Sequence, residues 1–130
     1  MILTFDSSVL IDLENGRRET LERVKDLIKM HPDPSPILFI PYFEFYFGIQ
    51  DRSPKNIEKA YSFLQKFRIV QPTKRTAELL SALRRKYDAK GVALPLADLL
   101  IASQVQEHNL LLVTRVKDFS KIEEIKKVIY

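Results

Sequence analysis

The chain reads as an α/β domain with a mostly parallel central sheet of four to five strands flanked by helices. Three observations lead there. Short β-rich runs alternate with stretches of helical period. Most of those runs, ILFI and LLLV entirely and ILTF but for Thr4, are apolar, as strands covered on both faces are. Acids stand at or just beyond the ends of several runs, where an open parallel sheet places its ligand crevice.

Each element has its own signal. ILTF is a strand that ends at Asp6-Ser7-Ser8, whose side chains can accept from the first free amides of a helix. Gly16 interrupts that helix, after which Leu21, Val24, Leu27 and Ile28 recur at helical spacing as far as Met30. The loop HPDPSP carries three prolines and forbids regular helix, so ILFI behind it is the second strand. Pro41 suits the first turn of the next helix, which carries Glu44 and stops near Gly48. Ser53-Pro54 opens another helix with Ile57, Tyr61 and Leu64 on one face. Phe67 to Val70 is a short third strand. Thr73 caps a helix running to about Lys90, with Ala77, Leu80, Leu83 and Tyr87 turned inward, and Gly91 ends it. A helix begun by the proline of LPLADLLIA follows, then LLLVT as a fourth strand and a last strand within KKVIY.

At 130 residues and 45% hydrophobic content the chain suits one domain, residues 1–130, with a core of its own. It has no cysteine, which excludes disulfides, thiolate zinc sites and cysteine nucleophiles and agrees with a reducing compartment. The N-terminus shows neither a basic region nor a long apolar core, and no apolar run nears the roughly 20 residues of a membrane helix. The expectation is a cytoplasmic protein without a membrane partner. Lysine and arginine number 21 against 17 acids, a formal charge of +4 and a pI near 9.3, which favours polyanions such as RNA only weakly. The bases gather in RRETLERVK, LRRKYDAK and TRVKDFSK, away from the acids in apolar settings.

Those acids carry the functional signal. Asp98 is the only charge in LPLADLLIA, and Asp6 and Glu44 lie in similarly apolar surroundings. A buried carboxylate must be paired, coordinated or neutralised. Taken singly, Asp6 is a helix cap and Glu44 and Asp98 are first-turn acids. Together, brought to one crevice, they repel one another unless a cation joins them. Oxygen-only ligands favour Mg²⁺ or Mn²⁺ over zinc, and His31 and His108 have no evident partner in the set. Such an ion binds phosphate oxygens and acidifies water, which is nuclease chemistry. Asp118 either caps a helix or supplies a fourth ligand. Ser7 and Ser8 are helix caps or support for Asp6, Thr114 is a further candidate to support the acids, and Arg115 to contact phosphate; Asp12 and Glu14 look like ordinary helix-face charges. At least half of the aromatic run Tyr42 to Phe47 is expected in the core and the rest in a subunit interface, which suggests a homodimer.

The stretches FDSSVLIDL, PYFEFYFGI, GVALPLADLLIASQ and LLVTRVKDFSKI together resemble the PIN domain, and within it the VapC-type toxins of prokaryotic toxin–antitoxin pairs. The resemblance spans nearly the whole chain. It implies a PIN-like three-layer fold and a metal-dependent endoribonuclease, with Asp6, Glu44 and Asp98 matching the principal acids and Thr114 the threonine after the fourth strand. It also implies a VapB-like antitoxin and a homodimer. One departure matters: members commonly carry Asp or Asn two residues after that threonine, where this chain has Val116. That opens an alternative, a catalytically weak or inactive PIN-like scaffold that binds nucleic acid or protein. A receiver-like phosphate acceptor ranks behind both, because Asp6 is followed by two serines rather than a second acid.

Overall fold

A computed structural model describes residues 1–130. The chain runs β1 (Ile2–Phe5), α1 (Ser7–Glu14), α2 (Arg18–Met30), β2 (Ile37–Leu38), α3 (Phe39–Ile49), α4 (Pro54–Leu64), β3 (Ile69–Val70), α5 (Lys74–Ala89), α6 (Leu96–Glu107), β4 (Leu110–Thr114), a 3₁₀ turn (Lys117–Lys121) and β5 (Lys126–Ile129). All strand pairs are parallel. No helix is long and apolar enough to cross a membrane.

The expected single sheet is divided. Hydrogen bonding joins β1, β4 and β5 with β4 in the middle, while β2 and β3 form a separate pair. Phe5 lies opposite Val113 and Thr114 opposite Ile129. The predicted second strand is cut from four residues to two, because Phe39 and Ile40 already belong to α3. Pro41 explains this: at the third helical position its missing N–H has no intrahelical acceptor to lose, so the helix can begin two residues before it. The predicted third strand likewise shrinks to Ile69–Val70.

One side chain bridges the break. Thr4, buried in β1, donates its hydroxyl to the Pro36 carbonyl at 2.9 Å. Gln104 of α6 is fully buried and makes two bonds: its Nε2 donates to the Val70 carbonyl at 3.0 Å, and its Oε1 accepts from the Phe39 amide at 3.3 Å. Leu38, the N-cap of α3, has no side-chain acceptor. Gln104 therefore satisfies one of the free amides of α3 from another helix.

Helices cover both faces of the sheet. In β4, Leu112 joins a core with Leu99, Ile101 and Tyr87 of α6 and α5. Its neighbour Val113 joins Leu3, Phe5, Val9 and Leu10 and the helices of the other side. This alternation across a strand with no solvent face makes three layers. Gly16 and Gly91 end α1 and α5 at φ +70, a conformation that costs glycine little. Thr73 and Thr76 form a reciprocal capping box at the start of α5.

Three inward faces differ from expectation. On α5 Thr76 is buried and Ala77 exposed, so the face runs Thr76, Leu83, Tyr87 with Leu80 half-buried. On α2 only Val24 is fully buried among the apolar positions, and Leu21 and Ile28 face outward. On α4 Ala60 and Leu64 are buried while Tyr61 is exposed. Of the aromatic run on α3, Phe45 is buried and Tyr42 half-buried; Phe43, Tyr46 and Phe47 are exposed, so less of the run belongs to the core than expected.

Candidate active site

The carboxyl edge of β1 and β4 holds the first part of the site. Asp6 leaves β1 as the N-cap of α1, with its own amide donating to Val113 at 3.1 Å. It is 4% exposed. Its Oδ1 accepts from the Ser7 amide at 2.7 Å and its Oδ2 from the Thr114 hydroxyl at 2.7 Å. The Thr114 oxygen in turn accepts from the Val116 amide at 3.0 Å. Because an amide can only donate, that contact leaves the hydroxyl proton of Thr114 for Asp6, which suits an ionised carboxylate.

Glu44 approaches from α3 and Asp98 from the first turn of α6. The Ser7 hydroxyl donates to Glu44 Oε1 at 3.2 Å, so one serine touches two acids through its amide and its side chain. Glu44 remains exposed as a residue, but the crowding of its carboxyl by neighbouring atoms and then the Asp6 charge push it above its ordinary range, with Asp98 adding to this and the Ser7 bond opposing it. Asp98 is pushed up by burial, then by Asp6 and Asp118. The four acids thus share one electrostatic field, although their residues span more than a hundred positions of sequence. None of Asp6, Glu44 and Asp98 forms an ion pair; the ion pairs of the chain all involve other acids.

The remaining candidates fall in different places. Asp118 lies in the 3₁₀ turn, about half exposed, paired with Lys121 at 3.4 Å. Ser8 follows one residue inside α1, and its hydroxyl oxygen is buried without a partner. Arg115 turns to α1, where its Nε lies 3.4 Å from Asp12 Oδ2, too poorly aligned to count as a hydrogen bond. His31 bonds to the Met1 carbonyl and His108 lies beside Glu107, both outside the acid cluster.

Asp12 and Glu14 are corrected by the structure. Asp12 is 5% exposed and accepts from Thr20 at 2.8 Å, with Arg17 and Arg115 beside it. Glu14 is buried against Arg52. A solvated helix face would leave such charges in water; these are instead paired with distant bases. One contributor to the site had little sequence signal, the Val116 amide. Adjacency to Asp6 pointed at Ser7 as its support, but nothing in the side chain of valine announces a backbone role.

The donor set is all oxygen and short of positive charge, which suits a hard divalent cation. The orphaned Ser8 hydroxyl and the raised Glu44 and Asp98 carboxyls agree with such a guest. No three His, Cys, Asp or Glu side chains are gathered at metal-ligand spacing in the structure. The acids are therefore neighbours within one field rather than a closed cage.

A family model for the PIN domain matches residues 3–125. Among solved structures, a toxin–antitoxin complex from Klebsiella pneumoniae is 32% identical over 96% of this chain and 95% of that one, with a TM-score of 0.73. VapBC2 from Rickettsia felis, bound to a DNA fragment from its promoter, is 23% identical with a TM-score of 0.84 over 100% of this chain and 99% of that one. VapBC-1 from nontypeable Haemophilus influenzae is 21% identical with a TM-score of 0.81, over 99% and 98%. The latter two likenesses concern the fold. No curated protein sequence matches significantly.

Proposed function

The chain belongs to the PIN domain family, and on that premise we propose that it is a metal-dependent endoribonuclease, the toxin of a type II toxin–antitoxin pair. The observation that supports this most is the cation-poor meeting of Asp6, Glu44 and Asp98, where burial and mutual repulsion lift two carboxyls. Asp6, Glu44 and Asp98 would hold Mg²⁺ or Mn²⁺, with Asp118 as an outer acid. When bound there, the ion would neutralise charge on a phosphodiester and make water a better nucleophile.

The chain's own residues prepare that event. Ser7 and Thr114 each fix one oxygen of Asp6, so the carboxylate meets its guest in one orientation. The Ser7 hydroxyl steers Glu44. Val116 offers no side-chain ligand and packs partly against the core, but its amide holds the Thr114 hydroxyl in place. The test is cleavage of a single-stranded RNA panel with Mn²⁺, with and without EDTA, for wild type and Asp6→Asn. Metal-dependent cleavage lost in the variant is expected; equal cleavage by both would remove the assignment.

A second reading, a scaffold that binds without cutting, is favoured by Val116 and by the absence of a closed cage. It predicts RNA or protein binding with no turnover under any divalent metal. For partners, the Klebsiella pneumoniae relative is a toxin–antitoxin complex, which supports a VapB-like antitoxin here as well. The outward aromatic stripe Phe39, Phe43, Tyr46 and Phe47 on α3 supports self-association as a homodimer. Sedimentation of wild type against Phe47→Glu tests that; a monomer in both would remove it.

A further inference from the structure

Beside the acid cluster a shallow cavity of about 520 Å³ opens, lined by Arg84 and Asp88 of α5, by Ala93, Leu94 and Pro95 of the loop into α6, and by Asp118. Its position ties it to the chemistry. Pro95 is the N-cap of the helix that presents Asp98, and Asp118 belongs to the same field as Asp98.

Its polar wall has unused hydrogen-bonding capacity of both kinds. Arg84 Nε donates to Asp88 Oδ2 at 3.2 Å across one helical turn. The two terminal nitrogens of Arg84 and the other oxygen of Asp88 make no bond within the chain, and both side chains are about half exposed. Donors and an acceptor therefore stand side by side above an apolar surface of Leu94 and Pro95. A phosphate suits this cavity poorly, because Asp88 and Asp118 oppose it. A nucleobase suits it well: it is neutral and flat, its edge carries neighbouring donors and acceptors, and its face packs on apolar groups or a guanidinium plane.

We propose that the Arg84–Asp88 cavity is a base-reading subsite, taking one unpaired nucleobase of the RNA that flanks the bond presented to the acids. The subsite rests on the nuclease reading above. It assigns specificity to a helix face that sequence alone marks only as charged, and it places the choice of cleavage site partly in α5.

The test uses the full chain and a library of single-stranded RNA ten-mers randomised at every position. One arm sequences products cut in Mn²⁺; the other sequences RNA retained by the protein in EDTA. Variants are Asp88→Asn, Arg84→Gln and, as a control on the same exposed helix, Arg85→Ala. Wild type should prefer one base by roughly tenfold at a single position flanking the cut, the discrimination a good base-edge contact gives. Asp88→Asn and Arg84→Gln should flatten or redirect preference at that position alone, and Arg85→Ala should leave it unchanged. An unaltered profile in both cavity variants, or no flanking preference in wild type, overturns the subsite. If wild type does not cut, the nuclease reading falls and the EDTA arm decides: a retained-base preference lost in Asp88→Asn upholds the subsite, and none or an unaltered one overturns it.

Discussion

Replacing Asp98 with asparagine separates what a carboxylate does for the fold from what it does for chemistry. As an acid in the first turn of α6, Asp98 gains roughly 0.3–1 kcal/mol from the unpaired amides at the helix start. Burial opposes its charge, and Asp6 and Asp118 repel it. Its carboxyl is raised on balance, so the opposing effects win, and at neutral pH the charge burdens the folded state. Because the side chain is partly solvated, screening keeps the effect small. Asp98→Asn should leave the metal-free protein as stable as before or more stable by roughly 0.2–1 kcal/mol, seen in urea denaturation as a higher midpoint at unchanged slope. Cleavage should fall at least roughly 100-fold, since several kcal/mol of charge stabilisation depend on the ion. Mn²⁺ at about 100 times its Kd should stabilise wild type by about 2.7 kcal/mol and the variant far less. A variant destabilised by more than about 1 kcal/mol that still cuts RNA would refute the reasoning, and Asp98 would then be a helix-start acid only.

Other expectations follow from neighbouring contacts. Thr114→Val removes the hydroxyl that Asp6 accepts and leaves the Val116 amide without its acceptor; a loss of about 1.5–3 kcal/mol in urea denaturation is expected, with cleavage falling more than Mn²⁺ affinity. Asp12→Ala should cost about 1–3 kcal/mol by stranding Thr20 and its arginines, while leaving cleavage by the surviving folded fraction intact. The acids divide by pH. Glu44 and Asp98 have raised folded pKa values, so the metal-free protein gains stability from them as pH falls through those values towards the ordinary 4.5 and 3.8. Glu124 is pushed up by burial but held lower on balance by the Lys86 and Tyr87 hydrogen bonds, so its contribution is present above the ordinary 4.5 and lost as pH falls through its depressed value. Denaturation against pH for wild type and the double variant Glu44→Gln, Asp98→Asn should show the mild-acid gain only in wild type. Proton competition should also make Mn²⁺ binding weaken as pH falls through the raised Glu44 and Asp98 values.

Local rules made much of the fold legible. Asp6 as a cap, Gly16 and Gly91 as helix ends, Thr73 as the start of α5 and the proline before Asp98 each act within a few residues, and each stands where those rules put it. The failures lie where distant partners decide. Asp12 looked solvated because its partners Thr20 and Arg115 are visible only once β4 and α2 have packed on α1. The ILFI run reads as a strand by composition, yet Gln104, sixty-five residues beyond Phe39, supplies the bond that lets α3 begin inside it. Val116 reads as a missing ligand; the amide it contributes belongs to every residue type but proline and leaves no trace in sequence.

Gln104 links two of the helices that build the site. It joins the helix that carries Asp98 to the start of the helix that carries Glu44 and to the last residue of β3, just where the short β2–β3 ladder ends. Two-residue strands hold few ladder bonds of their own, and Gln104 takes up the Phe39 amide and the Val70 carbonyl just beyond them, so Gln104→Ala should speed exchange of the Phe39 amide proton with solvent. A residue that touches neither acid thus links the two helices that carry them. Loss of that stitch would shift the helices that carry these acids before any carboxylate had changed.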